Sequence, residues 1–395
     1  MMNDRYVWPP PQTPTQIKGS KDLSLAGVQG AKPPGLPFRS PHTSPQIMQI
    51  LHVSNFGTRA KGAFLHSVPP KLRRGLVRAG HSVFDFSVRD VARAESFLGR
   101  RRFGAGAANA ALTRLAHDMR PDLLLLGHAD VIRPETVAAL RRALPAMRVV
   151  QWSVDPLFEP DNLARVRSKL PVVDATLVST AGEALGVLRH PGMRLGFLPN
   201  PVDFSIERGT AHLRENLPWD VFYACGHPRS PVRSLFGRDW DMDIFIAELM
   251  RLVPGARARL AGLQGQPNLA GAAYQQALCE CAVGLNVSRR NDTFLYTSDR
   301  MAQMAGNGLA VLVDRGTGYD TLFSAGEMGF FGCMDELAAL LRTLAADKPA
   351  RQAMAEAGRA RYHALFNETT VARYVVDVAF ECHDATRYEW PTLVA

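Results

Sequence analysis

Residues 296–314 read Tyr-Thr-Ser-Asp-Arg-Met-Ala-Gln-Met-Ala-Gly-Asn-Gly-Leu-Ala-Val-Leu-Val-Asp. Thr297, Ser298 and Asp299 are residue types that cap helix N-termini, and Met301, Met304 and Ala305 behind them fall on one face of a short helix. Gly306 and Gly308 stop that helix, and Leu309 to Val313 is an apolar run of the length of a strand buried on both faces. The stretch is therefore expected to run loop, helix, tight turn, parallel strand. In such a unit the helix N-terminus suits an anion, because unpaired N–H groups and the helix dipole both point at it. A helix that merely packs on a sheet would read the same way, so the rest of the chain has to decide.

Outward from this stretch the same alternation recurs. Strands are expected over Ile47 to Ser54, Ser82 to Phe86, Asp122 to Leu126, Arg148 to Trp152, Ala175 to Ser179 and Leu195 to Leu198. Between them, helical periods begin near Pro69 and cover Ala107 to Asp118, Pro134 to Leu144 and Leu163 to Lys169. Leu198-Pro199-Asn200-Pro201-Val202-Asp203 breaks the rhythm. A second array follows: strands Asp220 to Cys225, Ala258 to Ala261 and Val283 to Val287, with helices Ile244 to Leu252 and Tyr274 to Cys281. Helices over Met334 to Leu344, Pro349 to Leu365 and Val371 to Glu381 close the chain. Strands alternating with helices mean parallel sheets covered on both faces. The expected class is α/β, with two Rossmann-like domains facing across a cleft. The expected divisions are a disordered Pro-rich tail over 1–46, an N-terminal domain over 47–203, a C-terminal domain over 204–369, and a last helix and tail over 370–395. The tail carries nine prolines among Ser, Thr and Gly, too little apolar surface to offset the entropy of ordering.

The chain has 395 residues, 46% apolar and 21% charged, an ordinary globular composition. A net charge of +9 and a pI near 9.6 call for an acidic partner. No apolar run approaches the roughly 20 residues that span a bilayer, and the N-terminus lacks a signal-peptide layout. The expected place is the cytoplasm, with contact at the inner face of the membrane. Five scattered cysteines fit reduced thiols. Cys279 and Cys281 have no ligand-spaced partners nearby, so no metal site is expected.

Ligands of open α/β sheets bind outside the carboxyl ends of the strands. Four loops there carry candidates: Asn55 and Gly57; His128 and Asp130; Asp155 after Trp152; and Gly226, followed by Arg229 and Arg233, which together suit a diphosphate clamp. Each could equally be a turn or a solvated charge, and their shared position at strand ends is what singles them out. The sequence contains no GxxxxGK[ST], GxSxG or HExxH motif, and no GxGxxG after the first strand, which disfavours ATPases, serine hydrolases, zincins and common dehydrogenases. Arg73-Arg74 and Arg100-Arg101-Arg102 are basic runs, the latter flanked by Phe97, Leu98 and Phe103. They suit either a solvated face or anionic lipid head groups.

Taken together, these segments resemble a GT-B glycosyltransferase of the "glycosyl transferases group 1" superfamily, closest to its CgeB-like, spore-maturation-protein branch. The residues that carry the resemblance are the Gly-ended strand Asp220 to Gly226 with Arg233 downstream, and the stretch Tyr274 to Ser288. Arg300, Gln303 and Gly308 match the family's Arg-x-x-Glu helix, and Asp335-Glu336-Leu337 and Gly358-Arg359-Ala360-Arg361-Tyr362 its later helices. The resemblance implies transfer of a sugar from a nucleoside-diphosphate donor, held by the second domain, to a saccharide or lipid-linked acceptor held by the first, in cell-surface polymer synthesis. It implies no cofactor and no metal, with Arg233 and the backbone N–H groups at Thr297, Ser298 and Asp299 receiving the diphosphate and Arg300 also among the donor-binding residues. Gln303 stands where the family's ribose-binding Glu would be, and Leu295 where many retaining members carry a second Glu. Retention is expected on the resemblance alone. His128 and Asp155 would face the reacting sugar, with Asp155 the base if the reaction inverts. Nucleic acid is not among the expected partners. The alternatives are a non-catalytic sugar-nucleotide or glycan-binding protein, and a GT-B epimerase acting on the nucleotide sugar.

Overall fold

The computed structural model describes residues 47–58, 62, 64–96, 98–226 and 231–394. The expected tail over 1–46, Arg229 within 227–230, and Phe97 lie outside the described residues.

The first lobe is built from β1 (Gln49–Ser54), α1 (Val68–Arg78), β2 (Ser82–Ser87), α2 (Val88–Ala94), α3 (Ala105–Met119), β3 (Leu123–Gly127), α4 (Pro134–Ala143), β4 (Arg148–Ser153), α5 (Pro160–Arg167), β5 (Ala175–Val178) and β6 (Arg194–Phe197). The second contains β7 (Trp219–Ala224), β8 (Val232–Leu235), β9 (Arg238–Asp241), α6 (Met242–Leu252), β10 (Ala258–Ala261), α7 (Gly271–Cys279), β11 (Cys281–Asn286), α8 (Arg300–Gly306), β12 (Ala310–Asp314), β13 (Gly329–Phe331), α9 (Met334–Ala346) and α10 (Lys348–Phe366). Then α11 (Glu368–Ala379) and β14 (Leu393–Val394) end the described chain.

The first sheet has the order β14-β6-β5-β4-β3-β1-β2, and the second β10-β7-β11-β12-β13. Every pairing in both is parallel except β14 against β6. Side chains of β3, Leu123 to Leu126, are all buried. That is the reason this strand is a run of leucines: a parallel sheet clad on both faces leaves neither pleat to water. The same holds for β12.

The segment at 370–395 returns to the first lobe, where α11 packs on α1 and β14 extends the first sheet. The chain thus crosses between lobes twice, and the two crossings are stitched together. Val202 N–H donates to Phe366 O and Glu368 N–H to Val202 O, both 2.9 Å. Arg78 of α1 pairs with Asp203 on one crossing (2.9 Å) and Glu368 on the other (2.6 Å).

Several elements differ from expectation. Cys281 opens β11 instead of closing a helix, because α7 starts three residues earlier, at Gly271. The segment carrying Arg233 is a β-hairpin, β8-β9. Phe236 (φ 53°) and Gly237 (φ 73°) form its two-residue turn, the primed geometry that suits the twist of paired strands.

Candidate functional site

A cleft of about 330 Å³ opens at the carboxyl ends of β7 and β10. Its floor is Cys225, Gly226 and Ala261; Tyr274 and Gly271 of α7 form one wall and Asp299, Arg300 and Gln303 the other, while Phe64, His66 and Ser67 reach in from the first lobe. Gly226, Asp299, Arg300 and Gln303 are thus brought together.

The capping expected of Thr297, Ser298 and Asp299 is not formed. Asp299 stands before α8 in helical geometry, with no side-chain cap. Thr297 is buried, its Oγ1 accepting from Asn286 Nδ2 (2.9 Å) and its carbonyl from Asn200 Nδ2 (3.1 Å). The Ser298 N–H donates to Ser288 Oγ (3.1 Å). These groups were free to cap only if nothing else claimed them, and strand-end asparagines and serines do.

Asp299 instead faces Lys71 of α1, 3.3 Å from its Nζ. Lys71 is fully buried and also meets Glu207 at 2.7 Å and Pro201 O at 3.1 Å. One ammonium thus serves two carboxylates. Burial, with the charge of Asp299, pushes Glu207 up to about 7 against the pull of Lys71. Burial likewise raises Asp299 against the same pull, and the two carboxylates hold Lys71 above its ordinary range despite its own burial. Sequence reasoning missed Lys71 and Glu207, and no local pattern marks them.

Gln303 is buried, and its amide is fully engaged. Oε1 accepts from Tyr274 Oη (2.7 Å), and Nε2 donates to His66 O (3.0 Å) and Asp299 Oδ2 (2.9 Å). Arg300 lines the cleft, donates from Nη2 to Val287 O (3.1 Å), and has a buried Nε with no partner among the described residues. Arg233, by contrast, is 3% exposed and stands behind the floor, donating to Cys225 Sγ (3.1 Å) and Val232 O (2.7 Å). Leu295, buried, is held at φ 52°, its N–H given to Thr317 O and its carbonyl accepting from Tyr319. A non-glycine residue in that region is strained and persists because both backbone groups are bound.

In the first lobe, a pocket of about 40 Å³ at the ends of β3 and β4 gathers His128, Asp130 and Asp155. Gly127 precedes it for a steric reason: a Cβ there would lie 1.9 Å from the Trp152 indole. Trp152 in turn meets the His128 ring edge-on, 5.1 Å between centroids. His128, at φ 51°, brings Nδ1 to 3.2 Å from Asp155 Oδ2. Burial raises the Asp155 carboxyl, but His128, Arg165 and Arg89 together bring it below its ordinary value. Asp130 is held by Arg89 (2.9 Å) and Arg101 (2.8 Å). Asn55 is buried nearby in sequence to Gly57, which takes φ 59° against the ring of Phe64, a cleft residue.

The two regions adjoin through the 288–296 loop. Phe158 stacks edge-on against Tyr296 at 5.3 Å, and Arg289 pairs with Glu159. The Tyr296 phenol is pushed up to about 12, first by burial and then by Asp155, while Arg300 and Arg289 pull it down. Among the described residues no three His, Cys, Asp or Glu side chains converge as metal ligands, and no helix is long and apolar enough to cross a membrane.

Residues 235–377 match a protein-family model described as "Glycosyl transferase-like". No curated protein matches the chain. Among solved structures, sucrose-phosphate synthase from Thermosynechococcus elongatus is 12% identical, with 85% of this chain and 98% of that one covered and a TM-score of 0.57. A glycosyltransferase from Rickettsia africae is 8% identical, covering 85% and 99%, with a TM-score of 0.53. Anabaena HepE, solved in complex with UDP-glucose, is 13% identical, covering 85% and 100%, with a TM-score of 0.52. The likenesses establish the fold: two Rossmann-like domains in the GT-B arrangement, the second containing a glycosyl transferase-like domain.

Proposed function

We propose that the chain is a glycosyltransferase that moves a sugar from a nucleoside-diphosphate donor to a saccharide or lipid-linked acceptor of a cell-surface polymer, without a metal. The observation that carries this is the cleft itself. It joins a glycine floor, an arginine with an unmet donor, and a buried carboxylate–amide pair, in the lobe that matches the glycosyl transferase-like family.

The roles follow from charge. Arg300 supplies the cation for the diphosphate, beside the open backbone at Gly226, and stabilises the charge that grows on the nucleotide as the sugar leaves. Arg233 supports Cys225 from behind and acts on the diphosphate through that floor. Asp299 presents a carboxylate to the cleft, which repels phosphate and accepts from hydroxyls. It therefore sits at the ribose end and supplies the charged acceptor that Gln303 lacks. Asp155, steadied by His128, takes or orients the acceptor hydroxyl. Retention of configuration is the reading adopted, on family resemblance. The donor base is read as uridine first, by likeness to HepE.

The exposed Leu98 and Phe103, beside Arg100 and Arg102, support contact with an anionic membrane from the cytoplasmic side, where a lipid-linked acceptor would be presented. A second reading, nucleotide-sugar binding without turnover, is favoured by the fully engaged Gln303 amide and by Leu295.

Incubation with UDP-, GDP-, ADP- and CMP-linked sugars tests the proposal. One nucleotide class should raise the unfolding temperature and be slowly hydrolysed or transferred, and Arg300→Ala should weaken its affinity about tenfold, the worth of one charge-assisted hydrogen bond. Binding with no turnover in the presence of cell-extract acceptors would favour the second reading. Conversion to an isomeric donor would make the protein an epimerase.

A further inference from the structure

Three lysines fall among the described residues, and two of them, Lys71 and Lys169, are buried. Lys71 is neutralised by two carboxylates. Lys169, 6% exposed, lines the first-lobe pocket just past the end of α5; its backbone bonds Val166 and Val172, but its ammonium makes no hydrogen bond or ion pair with the described residues. The carboxylates around it are already claimed: Asp130 by Arg89 and Arg101, and Asp155 by His128 and Arg165. Burial lowers the Lys169 pKa, and Asp130 offsets this only in part while Arg165 adds to it. The side chain is thus withdrawn from bulk water while its ammonium, bound to no carboxylate, opens on the pocket, and an anion placed there would supply the counter-charge.

The volume limits what that ligand presents. One buried water needs on the order of 10–15 Å³ by the same kind of measure. About 40 Å³ therefore admits a group of a few heavy atoms and excludes a sugar ring.

We propose that this pocket binds a phosphate or carboxylate group carried by the acceptor, with Lys169 and Arg165 as its charged ligands. The anion enters at the ends of β3 and β4, and the sugar that bears it lies outside, against His128 and Asp155. This rests on the reading of the first lobe as the acceptor lobe. The acceptor is then an acidic or phosphorylated saccharide, or a lipid-linked sugar recognised through its phosphate.

The test is titration of inorganic phosphate at constant ionic strength, with chloride as control, into the wild type, Lys169→Met and Arg165→Gln. UDP affinity is measured in parallel. Phosphate should raise the unfolding temperature of the wild type, and its affinity should fall at least tenfold in Lys169→Met and severalfold in Arg165→Gln, with UDP affinity within twofold. An equal phosphate response in all three overturns the proposal. Arg165 is half-exposed, so its variant carries the test if Lys169→Met does not fold. Phosphate binding that depends on Lys169 in a protein that fails to bind any nucleotide would keep the anion pocket and remove the acceptor role. In transfer assays, preference for glucose 6-phosphate over glucose identifies a soluble source of the anion, and preference for a prenyl-phosphate-linked sugar in micelles identifies a lipid source. Neutral glucose accepted as well as both overturns the proposal.

Discussion

Gln303→Glu restores the acid that the family pattern places here, and the structure says it should fail. The wild-type amide nitrogen donates to His66 O at 3.0 Å and to Asp299 Oδ2 at 2.9 Å. A carboxylate in the same place turns both contacts into oxygen against oxygen. Two charges about 4 Å apart repel by about 4 kcal/mol at an effective dielectric near 20. The new side chain can escape by taking a proton, which at pH 7 costs about 3.7 kcal/mol from an ordinary pKa near 4.3. At pH 5 the same step costs only about 1 kcal/mol. The introduced glutamate thus has a folded pKa raised above its unfolded one. Its contribution is fully present below the unfolded value and is lost as pH rises through the folded value. Urea unfolding of variant and wild type at both pH values should show the stability gap widening by about 2.7 kcal/mol from pH 5 to pH 7. A gap independent of pH, or a variant as stable as the wild type at pH 7, would refute the reasoning. UDP affinity should not improve, because the charged acceptor in this cleft is already Asp299.

Three further outcomes are expected. Lys71→Met leaves Glu207 and Asp299 buried without their cation and should cost about 3–5 kcal/mol in thermal unfolding; Lys71→Met with Glu207→Gln should recover part of it, and a double variant no better than the single one counts against the triad. Asp155→Asn should slow transfer about tenfold, the worth of one charge-assisted hydrogen bond that orients the acceptor, while UDP affinity, measured by calorimetry, stays within twofold; a loss of about 100-fold or more would mark Asp155 as a general base and favour inversion. Arg100→Ala with Arg102→Ala, which spares the Arg101 bond to Asp130, should weaken co-sedimentation with phosphatidylserine vesicles about 30-fold, at about 1 kcal/mol per basic residue; unchanged sedimentation removes the membrane contact.

The sequence by itself determined the α/β class, the two arrays and the side of each sheet on which ligands would be sought. Apolar runs such as Leu123 to Leu126 and Leu309 to Val313, and the glycines that end helices, are local signals, and local periodicity is what a chain displays without folding. Gly226 was legible as a candidate because it follows a strand, whereas Arg300 and Gln303 were singled out by the resemblance to the Arg-x-x-Glu helix of the family. The hairpin around Arg233 was not, although Phe236-Gly237 between two short alternating segments was an available cue, and its formation is what draws Arg233 behind Cys225.

Only the tertiary structure decided what these residues face. Lys71 meets Asp299 across 228 positions and His66 meets Gln303 across 237. No periodicity spans such distances, so neither the buried charge triad nor the engagement of the Gln303 amide could be read in advance. The same cause turned the expected cap of α8 into something else. A threonine, serine or aspartate caps a helix when the backbone is its nearest unmet partner. Here the end of β11 in the same lobe supplied Asn286 and Ser288 to Thr297 and Ser298, and the other lobe supplied Lys71 to Asp299, which so changed from an expected seat for an anion into a carboxylate that faces the cleft.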